Sequence, residues 1–192
     1  MKSHFQTREQ RHECGRHLSL VLRELAPSLG LNVDDFGSVT IDQLVPVMCK
    51  FKGFLTSEHI TEIAQKDAQH RFEILNGRIR AKTGHRYPVK IPLPPSMPPE
   101  LLYHGTSVES LNKIRQQGIL QMGKAFVHLS TTRERAFRVG LRKTNEPQII
   151  LIKAQKAYEA GIRFWRSGQV SPDGEIYLSD EIPPCFIEET HR

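Results

Sequence analysis

Apolar residues in the first part of the chain recur at the spacing of a helix. They fall every three or four positions, at Leu18, Val21, Leu22 and Leu25. This period predicts an amphipathic helix over residues 7–26, which ends before Pro27 because proline cannot continue it. Arg16 and Arg23 are seven residues apart and fall near one side of that helix. They form either a ligand-binding surface or a solvated basic flank.

Two further helices and a hairpin follow. Thr40 and Gln43 make a capping box for a helix over residues 41–48, and another helix begins after a cap at Thr56 or Ser57. The dipeptide Asn76-Gly77 lies between two short apolar runs and predicts a tight β-hairpin. Helix, short strand, two helices and hairpin is the order of elements in a winged-helix-like unit, a kind of unit that often binds nucleic acid.

A proline-rich segment divides the chain. Five of the nine residues over 91–99 are proline, which makes the segment stiff and extended. It predicts a linker between a first lobe, residues 1–90, and a second lobe, residues 100–192.

The second lobe alternates short apolar runs with helical segments. Strands are predicted over residues 101–103, 127–130, 148–153, 164–165, 175–178 and 186–187, and helices over 107–117, 134–142 and 154–160. Most of the connections are too short for parallel crossover units. The pattern therefore favours an α+β fold.

The composition indicates the cellular compartment and the class of binding partner. A net charge of +6 favours an anionic partner, of which nucleic acid is the commonest. The three cysteines, Cys14, Cys49 and Cys185, are far apart and lack metal-binding spacing, so they predict reduced thiols rather than a disulfide framework. There is no apolar N-terminal leader and no run of eighteen apolar residues. We therefore expect a soluble cytoplasmic protein with no membrane partner.

Two apolar runs of the second lobe end in polar residues that carry chemistry. The first run ends in Tyr103-His104-Gly105-Thr106, and the second is Val127-His128-Leu129-Ser130. Gly105 would let the backbone approach a ligand closely. Either histidine by itself is more often an ordinary strand residue. Two strand ends that both carry an imidazole and hydroxyls favour a cleft.

Other ligand-binding motifs do not hold. Residues 118–125 resemble a P-loop, but Ala125 stands at the position of the magnesium-binding hydroxyl, and the segment follows a helix rather than a strand. There is no dinucleotide-binding G-x-G-x-x-G and no paired metal-binding histidine helix. What remains is a set of arginines, whose planar fork suits phosphate.

Several motifs in one order resemble the RNA 2'-phosphotransferase family. They are Leu18-Ser19 with Leu22-Arg23, Arg71-Phe72, Ile79-Arg80-Ala81, Gly84-His85, the runs ending in Thr106 and Ser130, Val139-Gly140 with Arg142, Phe164-Trp165-Arg166-Ser167, and Ile182-Pro183-Pro184. The resemblance implies a winged-helix-like RNA-binding lobe joined to an ADP-ribosyltransferase-like NAD-binding lobe. It also implies removal of an internal RNA 2'-phosphate, as in tRNA splicing, with NAD consumed as co-substrate and no protein partner.

The resemblance further implies roles for particular residues. A tetrad of Arg, His, Arg and Arg would grip the transferring phosphate, and Arg23, Arg71 and Arg142 match three of its members. Residues implied to hold NAD are Tyr103, His104, Gly105, Thr106, His128, Leu129 and Ser130, and those implied to hold RNA are Arg80 and His85. No metal is implied.

Glu24 stands where the family has the histidine of the tetrad. Its carboxylate would repel the phosphate, or be held by Arg23 or Arg16, or accept a proton from the attacking 2''-hydroxyl of ADP-ribose. His17 cannot substitute for the missing histidine because it lies about 10 Å away along the helix axis. From the sequence we expect slow turnover, an ADP-ribosylated RNA intermediate, and a faster second step in Glu24→His.

Two rival functions stay open at this point. The first is a nucleic-acid ADP-ribosyltransferase that stops after the first step, and the second is an inactive RNA-binding relative. Only the full reaction yields ADP-ribose 1'',2''-cyclic phosphate, so product analysis separates it from the first rival. RNA binding without consumption of NAD would favour the second.

Overall fold

The computed structural model describes residues 5, 7–91 and 94–189, apart from the side chains of Lys52 and Glu189. The chain divides into two compact units, Met1–Pro92 and Leu93–Arg192. Residues 92 and 93 of the predicted linker lie outside the described residues. The described part combines helices with two antiparallel sheets. This mixed α/β content is as expected, whereas the winged-helix and ADP-ribosyltransferase-like assignments stay predictions.

The described residues of the first unit form three α-helices and a three-stranded sheet. In chain order they are α1 (Arg8–Leu20), a π-helical turn (Val21–Leu25), β1 (Val39–Thr40), α2 (Ile41–Lys52), α3 (Ser57–Gln65), β2 (Phe72–Leu75) and β3 (Arg78–Ala81). The strand order is β1-β3-β2. Asn76 and Gly77 both have positive φ, 50° and 71°, as the predicted hairpin turn requires. Helix α2 continues past Pro46, so the predicted end near residue 48 is four residues short.

Helix α1 passes directly into the π-helical turn, and two carbonyl groups of this turn have no backbone partner within the helix. Ala26 N donates to Val21 O at 2.8 Å instead of to Leu22 O, the acceptor in an α-helix. Arg23 O would need the N–H of residue 27, which is a proline and has none. Both carbonyl groups are bonded by the loop after β3 instead: the Tyr87 hydroxyl donates to Leu22 O, and Arg86 N donates to Arg23 O at 2.8 Å.

The second unit is built on a six-stranded sheet. Its elements are β4 (Leu101–Thr106), α4 (Val108–Gln117), β5 (Val127–Ser130), α5 (Arg133–Gly140), β6 (Gln148–Lys153), α6 (Ala154–Glu159), β7 (Phe164–Ser171), β8 (Gly174–Ser179), a 3₁₀ turn (Pro184–Phe186) and β9 (Ile187–Glu189). The strand order is β7-β8-β5-β4-β6-β9, and all pairs are antiparallel. The two strands that carry the histidine motifs, β4 and β5, are therefore neighbours inside the sheet.

Gly105 has a packing role that the sequence did not reveal. A Cβ atom at this position would lie 2.0 Å from Ala136 O and 3.0 Å from Gly140 N, both backbone atoms of α5. The close backbone approach expected at Gly105 is thus made by helix α5. The absence of a side chain lets α5 pack directly on β4.

Candidate functional site

Arg71 is buried and held by a carboxylate. Its Nε and Nη2 donate to Asp67 Oδ1 at 3.0 and 2.7 Å, and Arg71 N donates to Asp67 Oδ2 at 2.7 Å. The guanidinium also lies over the Phe72 ring, 5.2 Å from its centroid. A Cβ on Gly15 of α1 would be 2.9 Å from Arg71 Nη2. The orientation of this arginine is therefore fixed before any ligand binds.

A pocket of about 240 Å³ opens beside Arg71. Its charged lining residues are Arg8, Arg11, Lys66, Arg71 and Asp67, with His12 and Gly15 among the others. Buried Glu62 pairs with Lys66 at 3.0 Å and with Arg11 at 3.6 Å. The side chains of Arg8 and His12 make no ion pair with other described residues. The excess of cations in the lining fits an anionic ligand.

Arg23 lies on the π-helical turn against the loop that follows β3. A Cβ on Gly84, whose φ is +89°, would be 3.2 Å from Arg23 Nε. His85 is buried, 3% exposed, and its ring packs edge-on to Tyr87. Burial, with the nearby Arg23 and Arg80, lowers the pKa of His85 to about 4. His85 is therefore a neutral side chain below the surface in this conformation, and its implied contact with RNA stays a prediction.

Glu24 is paired with a residue that the sequence did not single out. Its Oε2 is 3.2 Å from Arg86 Nε, and both side chains are about half exposed. The described residues show no ion pair of Glu24 with Arg23 or Arg16. Arg80, implied to hold RNA, pairs with Glu73 through Nε at 2.6 Å. Its charge is thus partly balanced in the described structure.

The strand register sorts the implied NAD-binding residues onto two faces of the sheet. Tyr103 pairs with Ser130, and paired residues in an antiparallel sheet project to the same face. Because side chains alternate along a strand, His128 shares that face, which is also the one on which α5 covers Gly105. His104 lies on the opposite face, toward the buried core. The two imidazoles that predicted a single cleft therefore do not project into the same space.

Thr106 also lies apart from Ser130. It is three residues beyond Tyr103, the pairing partner of Ser130, which is about 10 Å along the strand. Both hydroxyl residues are buried, 4% and 3% exposed. Because β4 and β5 are antiparallel, their C-terminal ends, at Thr106 and Ser130, point in opposite directions. Of the implied NAD residues, the structure brings Tyr103, His128 and Ser130 together on one face.

His104 connects the two strands through a hydrogen bond. Its Nδ1 donates to His128 O at 3.1 Å, since a carbonyl oxygen only accepts. The neutral ring then carries an acceptor at Nε2. Burial lowers the pKa of His104 to about 4, and Lys143 and Lys124 act in the same direction. His104 therefore holds the backbone of the strand next to His128 as a neutral group.

His85, which is buried, and His104, which is part-buried, predict a loss of stability in acid. Their folded-state pKa values of about 4 lie below the ordinary value of 6.5, so the unfolded chain takes up the protons first. This stability is complete above pH 6.5 and is lost as the pH falls toward 4, by roughly 2 to 3 kcal/mol per histidine. Urea unfolding at pH 7, 5.5 and 4.5 should show a weaker pH dependence in His104→Asn than in the wild type. An unchanged dependence in His104→Asn, equal to that of the exposed control His12→Asn, would contradict this linkage.

Arg142 lies two residues past the end of α5 and is exposed. The predicted helix reached residue 142, whereas the observed one ends at Gly140. Within the described residues the side chain of Arg142 makes no ion pair or hydrogen bond. By contrast, Asp173 pairs with Arg135 and with Arg138, at 3.2 Å each. The charge of Arg142 is thus not balanced by a carboxylate of the described chain, and neither is that of Arg133 at the start of α5.

Three positions that shape the site were not singled out from the sequence. Asp67 orients Arg71, Asp173 anchors α5 through Arg135, and Arg86 holds Glu24. The only available hint was local: Asp67 and Arg71 have the i,i+4 spacing of a side-chain pair. The partners of Arg86 and Asp173 are 62 and 38 residues away in the chain.

The described residues include no group of three or more His, Cys, Asp or Glu side chains that could hold a metal ion. Among the helices of the described chain, none is long and apolar enough to cross a membrane. These observations concern residues 5, 7–91 and 94–189 alone.

The described chain thus forms two units that combine helices with antiparallel sheets, and a pocket with mainly cationic charged residues lies in the first unit. A sequence model of the RNA 2'-phosphotransferase, Tpt1 / KptA family matches residues 9–171. A probable RNA 2'-phosphotransferase of Acetivibrio thermocellus is 34% identical over 175 residues, which cover 90% of this chain and 93% of that protein. The protein of the same name from Methanosarcina barkeri is 36% identical over 173 residues, covering 90% and 81%.

A third relative, the probable RNA 2'-phosphotransferase 1 of Archaeoglobus fulgidus, is 32% identical over 181 residues, which cover 94% of this chain and 82% of the relative. The chain therefore belongs to the RNA 2'-phosphotransferase, Tpt1 / KptA family. Membership of this family indicates an enzyme of the transferase class.

Proposed function

We propose that this protein transfers an internal RNA 2'-phosphate to ADP-ribose and consumes NAD as co-substrate. The products are RNA with a 2'-hydroxyl, ADP-ribose 1'',2''-cyclic phosphate and nicotinamide. The observation that carries the proposal is the family match over residues 9–171, together with arginines at three of the four implied phosphate-binding positions, Arg23, Arg71 and Arg142.

In the proposed reaction an oxygen of the RNA 2'-phosphate bonds to the ribose carbon of NAD that carries nicotinamide, and nicotinamide leaves with the bonding electron pair. The 2''-hydroxyl of ADP-ribose then attacks the phosphorus and loses its proton, and the RNA 2'-oxygen leaves and takes up a proton. Arg71 and Arg142 donate hydrogen bonds to the phosphate in both steps. Neither has to move a proton, because an arginine stays charged throughout.

The face that carries Tyr103, His128 and Ser130 supports the NAD part of the proposal. The Tyr103 ring offers a surface on which a nicotinamide can stack, and an imidazole and a hydroxyl can bond to a ribose. His104 acts behind this face through its bond to His128 O. In this assignment His104 and Gly105 position the strands rather than contact NAD.

The basic pocket of the first unit supports the RNA part. Arg8, Arg11 and Lys66 surround it, and Arg71 fixes one wall. Cations in a pocket of this size suit phosphate groups of an RNA backbone, which bind through charge and are weakened by salt. We place the RNA strand along this surface of the first unit.

The reaction is expected to need no divalent metal, because arginines take the place of a metal at the phosphate. Incubation with NAD and a short RNA that carries one internal 2'-phosphate should release nicotinamide and cyclic phosphate equally well in EDTA and in magnesium. Loss of turnover in EDTA that magnesium restores would refute the metal-free mechanism. A stable ADP-ribosylated RNA with no cyclic phosphate would support the rival that stops after the first step, and binding of RNA with no consumption of NAD would support the inactive relative.

A further inference from the structure

The loop over residues 83–87 is tied to the π-helical turn at several points. Arg86 N donates to Arg23 O at 2.8 Å, and the Tyr87 hydroxyl donates to Leu22 O. Gly84 lies so close to the Arg23 side chain that a Cβ there would be 3.2 Å from Nε. This loop therefore has a defined position relative to Arg23 and its neighbour Glu24.

The Arg86 side chain reaches the end of the Glu24 side chain. The closest atoms are Arg86 Nε and Glu24 Oε2, 3.2 Å apart, and the side chains are 54% and 40% exposed. Neither terminal NH2 group of Arg86 donates a hydrogen bond to another described residue. The guanidinium is thus oriented by one carboxylate, while its outer donors face a surface that a ligand can reach.

We propose that Arg86 is a further phosphate-binding residue of this enzyme, and that Glu24 is the residue that positions it. The proposal rests on the proposed function, in which Arg23, the residue before Glu24, binds the transferring phosphate. The Arg86 guanidinium lies at the end of the Glu24 side chain. A histidine at position 24 would place its hydrogen-bond donor in the same region. Arg86 then supplies the donor that Glu24 itself lacks.

Charge balance supports this arrangement. An isolated carboxylate beside the phosphate would repel it, because like charges at short range oppose one another. Paired with Arg86, Glu24 contributes no net charge next to Arg23. A carboxylate that bonds one edge of a guanidinium also leaves the other donors of the fork for a second anion. Similar pairing orients Arg71, whose partner is Asp67.

Arg86 and Glu24 have different roles in this arrangement, phosphate binding and positioning. Arg86 touches the phosphate as a charged donor and exchanges no proton, so the pH profile of the reaction should be unchanged in Arg86→Lys although the rate is lower. Glu24 acts through Arg86, so Glu24→Gln should lower the rate without removing a titration from the profile. If Glu24 were a catalytic base, the pH profile of the Glu24→Gln variant would instead lack one of its limbs.

The decisive experiment is single-turnover analysis of labelled RNA with one internal 2'-phosphate, in the full chain. We expect about a 100-fold lower rate in Arg86→Ala, the loss typical of one deleted donor, and a smaller loss in Glu24→Gln. The double variant Arg86→Ala with Glu24→His should recover part of the loss, because it removes the unpaired carboxylate and restores a donor at position 24. Lys90→Ala is the matched control, since Lys90 forms an exposed ion pair with Asp35 in the same unit.

A rate for Arg86→Ala equal to that of Lys90→Ala, with a faster second step in Glu24→His, would overturn the proposal and favour a repulsive Glu24. The unfolding midpoints of Arg86→Ala and Lys90→Ala should match that of the wild type, since exposed ion pairs contribute little stability. If the wild type forms no cyclic phosphate, the proposed function fails. The affinity ratio between 2'-phosphorylated and unphosphorylated RNA then tests Arg86 by itself: a wild-type preference that Arg86→Ala removes supports the site, and the same ratio in both proteins refutes it.

Discussion

Arg142→Ala should lower kcat/KM by about 100- to 1000-fold and leave the stability of the protein unchanged. The expected loss, roughly 3 to 4 kcal/mol of transition-state stabilisation, is the range for one preorganised donor to a developing charge. Stability should not change because Arg142 is exposed and pairs with no other described residue. Arg142→Lys should recover little of the activity, since an ammonium lacks the planar fork.

Arg138→Ala is the matched control for this prediction. Arg138 lies on α5, four residues before Arg142, is exposed and pairs with Asp173 at 3.2 Å, so its removal should leave kcat/KM within a few-fold of the wild type. The measurement is steady-state release of nicotinamide from NAD with 2'-phosphorylated RNA, beside urea unfolding. Wild-type kcat/KM in Arg142→Ala would exclude this arginine from the phosphate site.

Arg71→Ala tests the same role in a residue that also has a structural one. Activity should fall as in Arg142→Ala, but stability should fall as well, because Asp67 would be left as a buried carboxylate without its partner. The double variant of Arg71→Ala with Asp67→Asn should regain stability without regaining activity. Recovery of both in the double variant would show that Arg71 acts through folding alone.

Gly105→Ala should destabilise the second unit by about 3 kcal/mol, at the upper end of the usual cost of overpacking. The added methyl group would meet Ala136 O at 2.0 Å, and a backbone oxygen cannot rotate away as a side chain can. Helix α5 must then move off strand β4, and Arg142 follows this helix. We therefore expect activity to be lost together with stability, as measured by urea unfolding and nicotinamide release.

Gly161→Ala provides the comparison for Gly105→Ala. Gly161 has a φ of +98° and no atom within 4 Å of an added Cβ, so alanine there costs only the backbone strain, about 1 kcal/mol. Equal stability losses in the two variants would mean that α5 can move away from β4 without a further loss of stability. That result would remove the packing explanation for Gly105.

Local signals were enough to predict most of the elements. The Asn76-Gly77 hairpin needs positive φ at both turn residues. Asn followed by Gly is the residue pair that favours this conformation, so the sequence predicts the turn. The predicted helix over residues 107–117 likewise ends before Gly118, whose φ of 82° suits a residue without a side chain. The end of α2 was missed because Pro46 suggested an early stop, and the π-helical turn after α1 was missed because its apolar spacing is close to that of an α-helix. Each miss concerns which hydrogen bonds form, and apolar periodicity does not determine that.

The candidate phosphate residues could be named from the sequence, because a motif preserves residue type and order along the chain. Arg23, Arg71 and Arg142 are of this kind. Strand pairing, however, is a long-range choice: only the register of Tyr103 with Ser130 shows that His104 and His128 project to opposite faces. The partner of Glu24 is 62 residues away and is brought to it by the loop that caps the Leu22 and Arg23 carbonyl groups. The sequence thus determined which chemical groups are present, and the tertiary structure decided which of them meet, because hydrogen bonding and packing join residues that no local pattern connects.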